Sequence, residues 1–267
     1  MVVFPNAKIN LGLNITKKRQ DGYHELETFF YPVPWQEALE IVESEKTGVS
    51  VSGIAVPNDG DNIVLKAYQL LKSEYDLPPV QIHLHKVIPI GAGLGGGSAD
   101  AAFTLTLLNN LLELGLNDSR LMKYAVSLGA DCAFFIKNKP MLATGVGEQL
   151  TEVDISLDGK FIMLVYPDIH ISTKEAFSNI TPKRPDIHIH QMLAEEKITD
   201  WKDILKNDFE PGLFESYPVL SKLKQQLYDA GAIYASMSGS GSCMYGIFEK
   251  NPQITFPKHY STWSGRI

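Results

Sequence analysis

Five of the twelve residues Pro89-Ile90-Gly91-Ala92-Gly93-Leu94-Gly95-Gly96-Gly97-Ser98-Ala99-Asp100 are glycine. A run without side chains lets backbone approach an anion closely. Where it leads into a helix, the first N–H groups and the positive end of the helix dipole converge on the same point. Both conditions are met here. A β-like run, residues 80–85, precedes the glycines, and the apolar stretch Ala101-Ala102-Phe103-Thr104-Leu105-Thr106-Leu107-Leu108 follows at once, so the segment reads as strand, loop and helix and not as a linker. Ser98 adds a hydroxyl for a phosphate oxygen or a metal ion. The chemistry is phosphate binding. Gly91-x-Gly93-x-x-Gly96 formally satisfies the dinucleotide fingerprint, but a Rossmann unit needs a second parallel strand after its helix, with an acidic residue roughly 20 positions on. Here a second helix is expected instead. No Lys-Ser or Lys-Thr ends the glycine run, which excludes a P-loop.

Other chemistry-bearing residues stand apart from this loop. In Ala7-Lys8-Ile9-Asn10-Leu11-Gly12-Leu13 apolar and polar or small residues alternate at period two, which puts Lys8 and Asn10 on one face of a half-buried strand. Asp21-Gly22 marks a turn, so Tyr23 and His24 follow it directly. The pairs His83-x-His85 and His188-x-His190 each suit one strand face, yet a metal site needs more ligands, and no structural metal is expected. Gly239-Ser240-Gly241 is not a nucleophile elbow, because position 238 is serine and Gly-x-Ser-x-Gly fails. Cys132 has no evident activating partner and reads as packing.

The elements that must position these residues form a mixed order. Residues 39–42, 48–51, 80–85 and 161–165 are β-like, and residues 62–73 carry the helical spacing Ile63, Ala67, Leu70, Leu71. Residues 99–114 read as a buried helix, and Asp118 or Ser119 caps another that stops near Gly129. Residues 173–179, 200–205 and 218–230 look helical, and 233–236 and 243–248 look like strands around a Ser/Gly-rich turn. The polar stretch 151–160 separates two domains, 1–156 and 157–267, the second a small α+β sandwich. At roughly 150 residues per domain, a chain of 267 residues suits this division. Apolar residues make up 44% and charged residues 21%, the mix of a folded globular protein. Acids number 31 against 24 lysines and arginines, a net charge of −7 that argues against general nucleic-acid binding. Two cysteines, Cys132 and Cys243, are too few for a disulfide framework and suit a reducing compartment. No run approaches the roughly 18 uninterrupted apolar residues of a membrane span, and no secretory leader is recognised at the start. A cytoplasmic protein is expected.

The pattern Pro-x3-Gly-Leu-Gly-Gly-Gly-Ser, residues 89–98, resembles the phosphate loop of the GHMP small-molecule kinases. Within that superfamily, Ala7-Lys8-Ile9-Asn10-Leu11 followed by Asp21-Gly22-Tyr23-His24-Glu25-Leu26 resembles the branch that phosphorylates the 2-hydroxyl of a cytidine-diphosphate methylerythritol in the non-mevalonate isoprenoid pathway. The likeness continues through Gly129-Ala130-Asp131, Gly145-Val146-Gly147-Glu148, Asn207-Asp208-Phe209-Glu210 and Met237-Ser238-Gly239-Ser240-Gly241. Ala99 departs from it, standing where many members have a second serine, and residues 182–198 match nothing of use. The resemblance implies an α+β fold of two domains: an N-terminal ribosomal-protein-like α/β domain with the glycine-rich ATP loop, and a C-terminal ferredoxin-like domain.

It also implies roles. Asp131 faces the acceptor hydroxyl as base, although its place after Gly129 equally suits a helix N-cap. Lys8 is the catalytic cation, favouring the ionised carboxylate and a developing alkoxide, and Asn10 hydrogen-bonds substrate or Lys8. Pro89, Ile90, Gly91, Ala92, Gly93, Leu94, Gly95, Gly96, Gly97, Ser98 and Ala99 bind ATP, with Lys86 and Asn62 toward its base and ribose. Mg²⁺ is expected from phosphoryl-transfer chemistry and not from a ligand motif, with the Ser98 hydroxyl a candidate to support it. Tyr23 and Phe177 sandwich the cytosine ring, His24 bonds its edge and Thr173 is a neighbour. The expected partners are small molecules and not nucleic acid or membrane, and the protein is a monomer or homodimer. The rival readings are another GHMP kinase, of homoserine or mevalonate type, and a non-catalytic nucleotide- or RNA-binding module.

Overall fold

A computed structural model of the chain describes residues 1–56, 59–178 and 180–267. Packing divides it into two compact units that interleave in sequence. The first comprises Met1–Ala7, Trp35–Ile90 and Gly95–Lys139; the second comprises Lys8–Pro34, Gly91–Leu94 and Pro140–Ile267.

The first unit is built on a sheet ordered Val2–Val3, Ala38–Glu43, Val80–Lys86, Gly48–Gly53. Val80–Lys86 runs antiparallel to Ala38–Glu43, with Leu39 opposite Leu84 and Ile41 opposite Ile82, and parallel to Gly48–Gly53. That register puts Leu39, Ile41, Ile82 and Leu84 on one face, all buried, as the period-two pattern requires. The parallel pair is joined by the helix Ile63–Lys72, which starts where Asn62 Oδ1 accepts the N–H of Val64 at 3.0 Å. The helix expected from Ala99 begins earlier, at Gly96, and runs to Leu111. Gly95 has φ 71°, in the left-handed region, and its carbonyl accepts the first helical bond from Ala99 N at 2.9 Å, so the last glycines belong to the helix. Asp118–Leu128 follows. Its cap is Asn117, whose side chain accepts from Arg120 N at 3.0 Å, and not the expected Asp118 or Ser119. Cys132–Lys137 completes the unit.

The second unit holds two antiparallel sheets. One is ordered Asn6–Lys18, His24–Gln36, Met141–Thr144, Gln149–Glu152, and the other Tyr234–Met237, Met244–Phe248, Phe161–Tyr166, Ser261–Arg266. The strand His24–Gln36 was not expected from periodicity: Phe29, Phe30 and Tyr31 are buried in succession, and prolines stand at 32 and 34. Helices Thr173–Ser178, Ile189–Glu195, Trp201–Ile204, Glu210–Ser216 and Pro218–Asp229 accompany these sheets, and the expected last residue of the first, Asn179, lies outside the described residues. Leu220, Leu223 and Leu227, at helical spacing, pack on Met163, Val165, Ala235, Met237, Met244 and Phe248 to form the core. The fold is the mixed α+β arrangement expected from the sequence. Among the described residues no helix is long and apolar enough to cross a membrane.

Candidate active site

In the first unit the chemistry gathers at the start of the Gly96–Leu111 helix. The N–H groups of Gly96, Gly97 and Ser98 precede the first intrahelical bond, so they have no partner within the helix, and Gly95 offers no side chain to cap them. A Cβ at Gly97 would meet nothing within 4 Å, whereas one at Gly96 would lie 3.0 Å from Lys86 Nζ. Backbone is therefore open on one side and tightly backed on the other, the form of an anion cradle. Ser98 is half-buried and hydrogen-bonds the Cys132 side chain, which brings this first helical turn to the residue after Asp131. Burial pushes the Cys132 thiol up to about 11, in keeping with an inert packing residue.

Asp131 is half-buried. It occupies the N-cap position of Cys132–Lys137, but its backbone is already helical, at φ −75° and ψ −12°, and its side chain makes no capping hydrogen bond. Asn62, in contrast, spends its side-chain oxygen on a cap. Lys86 is 3% exposed, and its ammonium donates to Glu37 Oε2 at 2.7 Å and to Asp100 Oδ2 at 2.8 Å. Both carboxylates are buried. Burial, reinforced by Glu37 and opposed by Lys86, holds the Asp100 carboxyl well above the usual carboxylate range. Lys86, which the resemblance points toward the base and ribose of ATP, is tied in the structure to Glu37 and Asp100, for which no local pattern implies a role.

The second unit assembles a group around Lys8, also 3% exposed. Its ammonium donates to Asn10 Oδ1 at 2.6 Å and lies 4.9 Å from the centre of the Phe30 ring. The two residues share a strand face, as their spacing predicts. Asn10 Nδ2 donates to Thr28 Oγ1 at 2.9 Å, and Thr28 in turn donates to the carbonyl of Gly12 at 2.6 Å. The loop residues Gly91–Leu94 belong to this unit. The carbonyl of Leu94 accepts from Lys8 N at 2.9 Å, that of Gly93 from Ser238 Oγ at 2.8 Å, and that of Ala92 from Cys243 N at 3.1 Å. Gly93 has φ 79°, and a Cβ there would collide with the carbonyl of Ser238, so only glycine fits. Ser238 is itself held through Asn207, whose amide donates to the carbonyls of Met237 at 2.9 Å and Gly239 at 2.8 Å.

The expected base pocket is also in this unit. His24 stacks on Phe177, centroids 4.7 Å apart at 20°, and Phe209 meets Phe177 edge-on at 4.9 Å. Burial first, and Lys18 second, lower the pKa of His24, which favours the neutral ring with its one donor and one acceptor. Tyr23 is 66% exposed beside the Asp21-Gly22 turn, its N–H bonded to Asp21 Oδ1 at 3.1 Å. Thr173 is exposed at the first position of its helix. Thr28, Ser238 and Asn207 had no assigned role. Ser238 and Asn207 fall within motifs that the sequence singles out, while Thr28 carries no local signal.

Comparison with known proteins follows the same lines. The family profiles described as GHMP kinases N terminal domain and GHMP kinases C terminal match residues 62–139 and 190–255. A 4-diphosphocytidyl-2-C-methyl-D-erythritol kinase of Bacteroides fragilis is 53% identical over 96% of this chain and 94% of its own. One of Parabacteroides distasonis is 48% identical over the whole of both chains. The crystal structure of a 4-(cytidine 5'-diphospho)-2C-methyl-D-erythritol kinase superposes with a TM-score of 0.79 at 31% identity, covering 92% of this chain and 90% of that one. A homoserine kinase of Cytophaga hutchinsonii shares the fold, with a TM-score of 0.67 at 17% identity over 98% of this chain and 94% of that one.

Proposed function

The chain belongs to the 4-diphosphocytidyl-2-C-methyl-D-erythritol kinase family of the GHMP kinases, and from that premise we infer the reaction: ATP phosphorylates the 2-hydroxyl of 4-diphosphocytidyl-2-C-methyl-D-erythritol. The protein is an ATP-dependent kinase of isoprenoid precursor synthesis, a transferase with an alcohol acceptor. The observation that carries the acceptor is 53% identity across 96% of the chain. The likeness to homoserine kinase, at 17%, speaks for the fold alone.

ATP suits the residues present, because the N–H groups of Gly96, Gly97 and Ser98 at the helix start have no side-chain cap, with room beside Gly97 for an anion. We assign residues 89–99 to the triphosphate, with Asn62 and Lys86 on the nucleotide side. Mg²⁺ prefers hard oxygen donors, and the Ser98 hydroxyl is one. Bound with ATP, it neutralises charge on the transferring group. Asp131 holds a carboxylate that does not cap its helix, and it accepts the proton of the acceptor hydroxyl. Lys8, its position fixed by Asn10 and Phe30, supplies positive charge for the developing alkoxide. Tyr23 and Phe177 offer faces for cytosine and the neutral His24 ring offers edge bonds, with Asn10 and Thr173 nearby in role.

We assign residues 1–156 and 157–267 to the two family domains. The enzyme acts in the cytoplasm on small molecules, away from membrane and nucleic acid, as monomer or homodimer. The net charge of −7 supports the exclusion of nucleic acid. The test is ADP release with Mg·ATP and, in parallel, the cytidine diphosphate compound, mevalonate, homoserine and galactose. Turnover with the first alone is expected; turnover with another acceptor overturns the assignment.

A further inference from the structure

Glu37 stands one step before the strand Ala38–Glu43, whose register sets Ala38 opposite His85 and so Glu37 opposite Lys86. Its side chain is fully buried. Oε1 accepts the N–H of Val87 at 3.2 Å and of Ile88 at 2.7 Å, the two residues through which the chain leaves the sheet for Pro89 and the glycines. Oε2 accepts from Lys86 Nζ at 2.7 Å, and the same ammonium reaches Asp100 Oδ2 at 2.8 Å, on the helix that the glycines lead into. One carboxylate thus grips the entry to the loop directly and, through Lys86, its exit. Asp100 Oδ1 is buried with no donor reaching it, while the Asp100 and Glu37 carboxyls face each other.

A loop with five glycines between residues 89 and 100 has much conformational freedom to lose when its N–H groups are aimed at an anion. Ends fixed in advance reduce what remains to be ordered at binding. We propose that Glu37 is a positioning residue for nucleotide binding, pre-ordering the glycine loop by holding the N–H groups of Val87 and Ile88 and, through Lys86, the Asp100 turn of the following helix. This rests on the assignment of that loop to ATP.

The test uses Glu37→Ala, Glu37→Gln and Glu37→Asp, each checked by thermal melting, then titrated with Mg·ATP by calorimetry and assayed with either substrate varied. Glu37→Ala is expected to raise the Kd and KM for ATP about tenfold, with kcat within about threefold and the acceptor KM unmoved. Glu37→Gln keeps an oxygen for both N–H groups but turns an amide N–H toward the Lys86 ammonium, and restores part of the ATP affinity; Glu37→Asp keeps the charge, is too short for them, and restores less. Should the alanine variant melt below the assay temperature, the order of the other two decides. An unchanged ATP Kd, the reverse order, or equal losses in kcat and both KM values overturns the proposal. Calorimetry needs no turnover, so a protein that bound ATP in the expected order yet phosphorylated no cytidine diphosphate acceptor would support the inference and remove the acceptor assignment.

Discussion

Two buried lysines, each 3% exposed, are oriented by different neighbours. Lys86, in the first unit, lies between the carboxylates of Glu37 and Asp100, and its charge is consumed in tying strand to helix. Lys8, in the second, donates to the neutral amide of Asn10 and lies over the Phe30 ring, contacts that fix the position of its ammonium. The same residue type at the same burial thus ties two elements together in one place and is oriented by an amide and a ring in the other.

Replacing each lysine should break this contrast cleanly. Lys8→Met is expected to lower kcat by about a thousandfold while the ATP Kd stays within about threefold, read by steady-state kinetics and calorimetry. Asp131→Asn should do the same, and near-normal turnover in either would remove that residue from the chemistry. Lys86→Met leaves two buried acids without their cation, and urea denaturation should show a loss of about 3–5 kcal/mol. Adding Asp100→Asn should restore part of it. The sign with pH is fixed by Asp100. Its folded pKa is raised, so its contribution to stability is complete below the unfolded value of about 4 and is lost as pH rises through the folded one. The stability curve of Asp100→Asn should lack this decline. Tyr23→Ala should raise the KM for the cytidine substrate about tenfold with kcat little changed. Smallest of all, Ser238→Ala removes one bond to the Gly93 carbonyl and should cost about threefold in kcat/KM for ATP, still enough to separate it from wild type.

Local patterns were legible and long-range register was not. Ile63, Ala67, Leu70 and Leu71 announce their helix, and the glycine run announces a cradle, because both signals lie within a few residues. The spacing of Lys8 and Asn10 likewise predicts their shared face. Glu37 escaped notice because its partners lie 49 to 63 positions away, brought there by the pairing of Ala38–Glu43 with Val80–Lys86. Ser238 meets Gly93 from 145 positions away, for the same kind of reason. The strand His24–Gln36 was missed because successive buried aromatics erase the alternation by which strands are read.

The interleaving of the two units governs the order in which a growing chain can fold. All segments of the first unit have been synthesised once residue 139 has been added, whereas Lys8–Pro34 and Gly91–Leu94 belong to a unit that also includes Pro140–Ile267. A hairpin carrying Leu13 and Ile15, which pack in the finished protein against Met163, Val165, Leu220 and Leu223, is therefore synthesised early and covered late. During that interval it is exposed apolar β-structure, the kind of surface that chaperones shield.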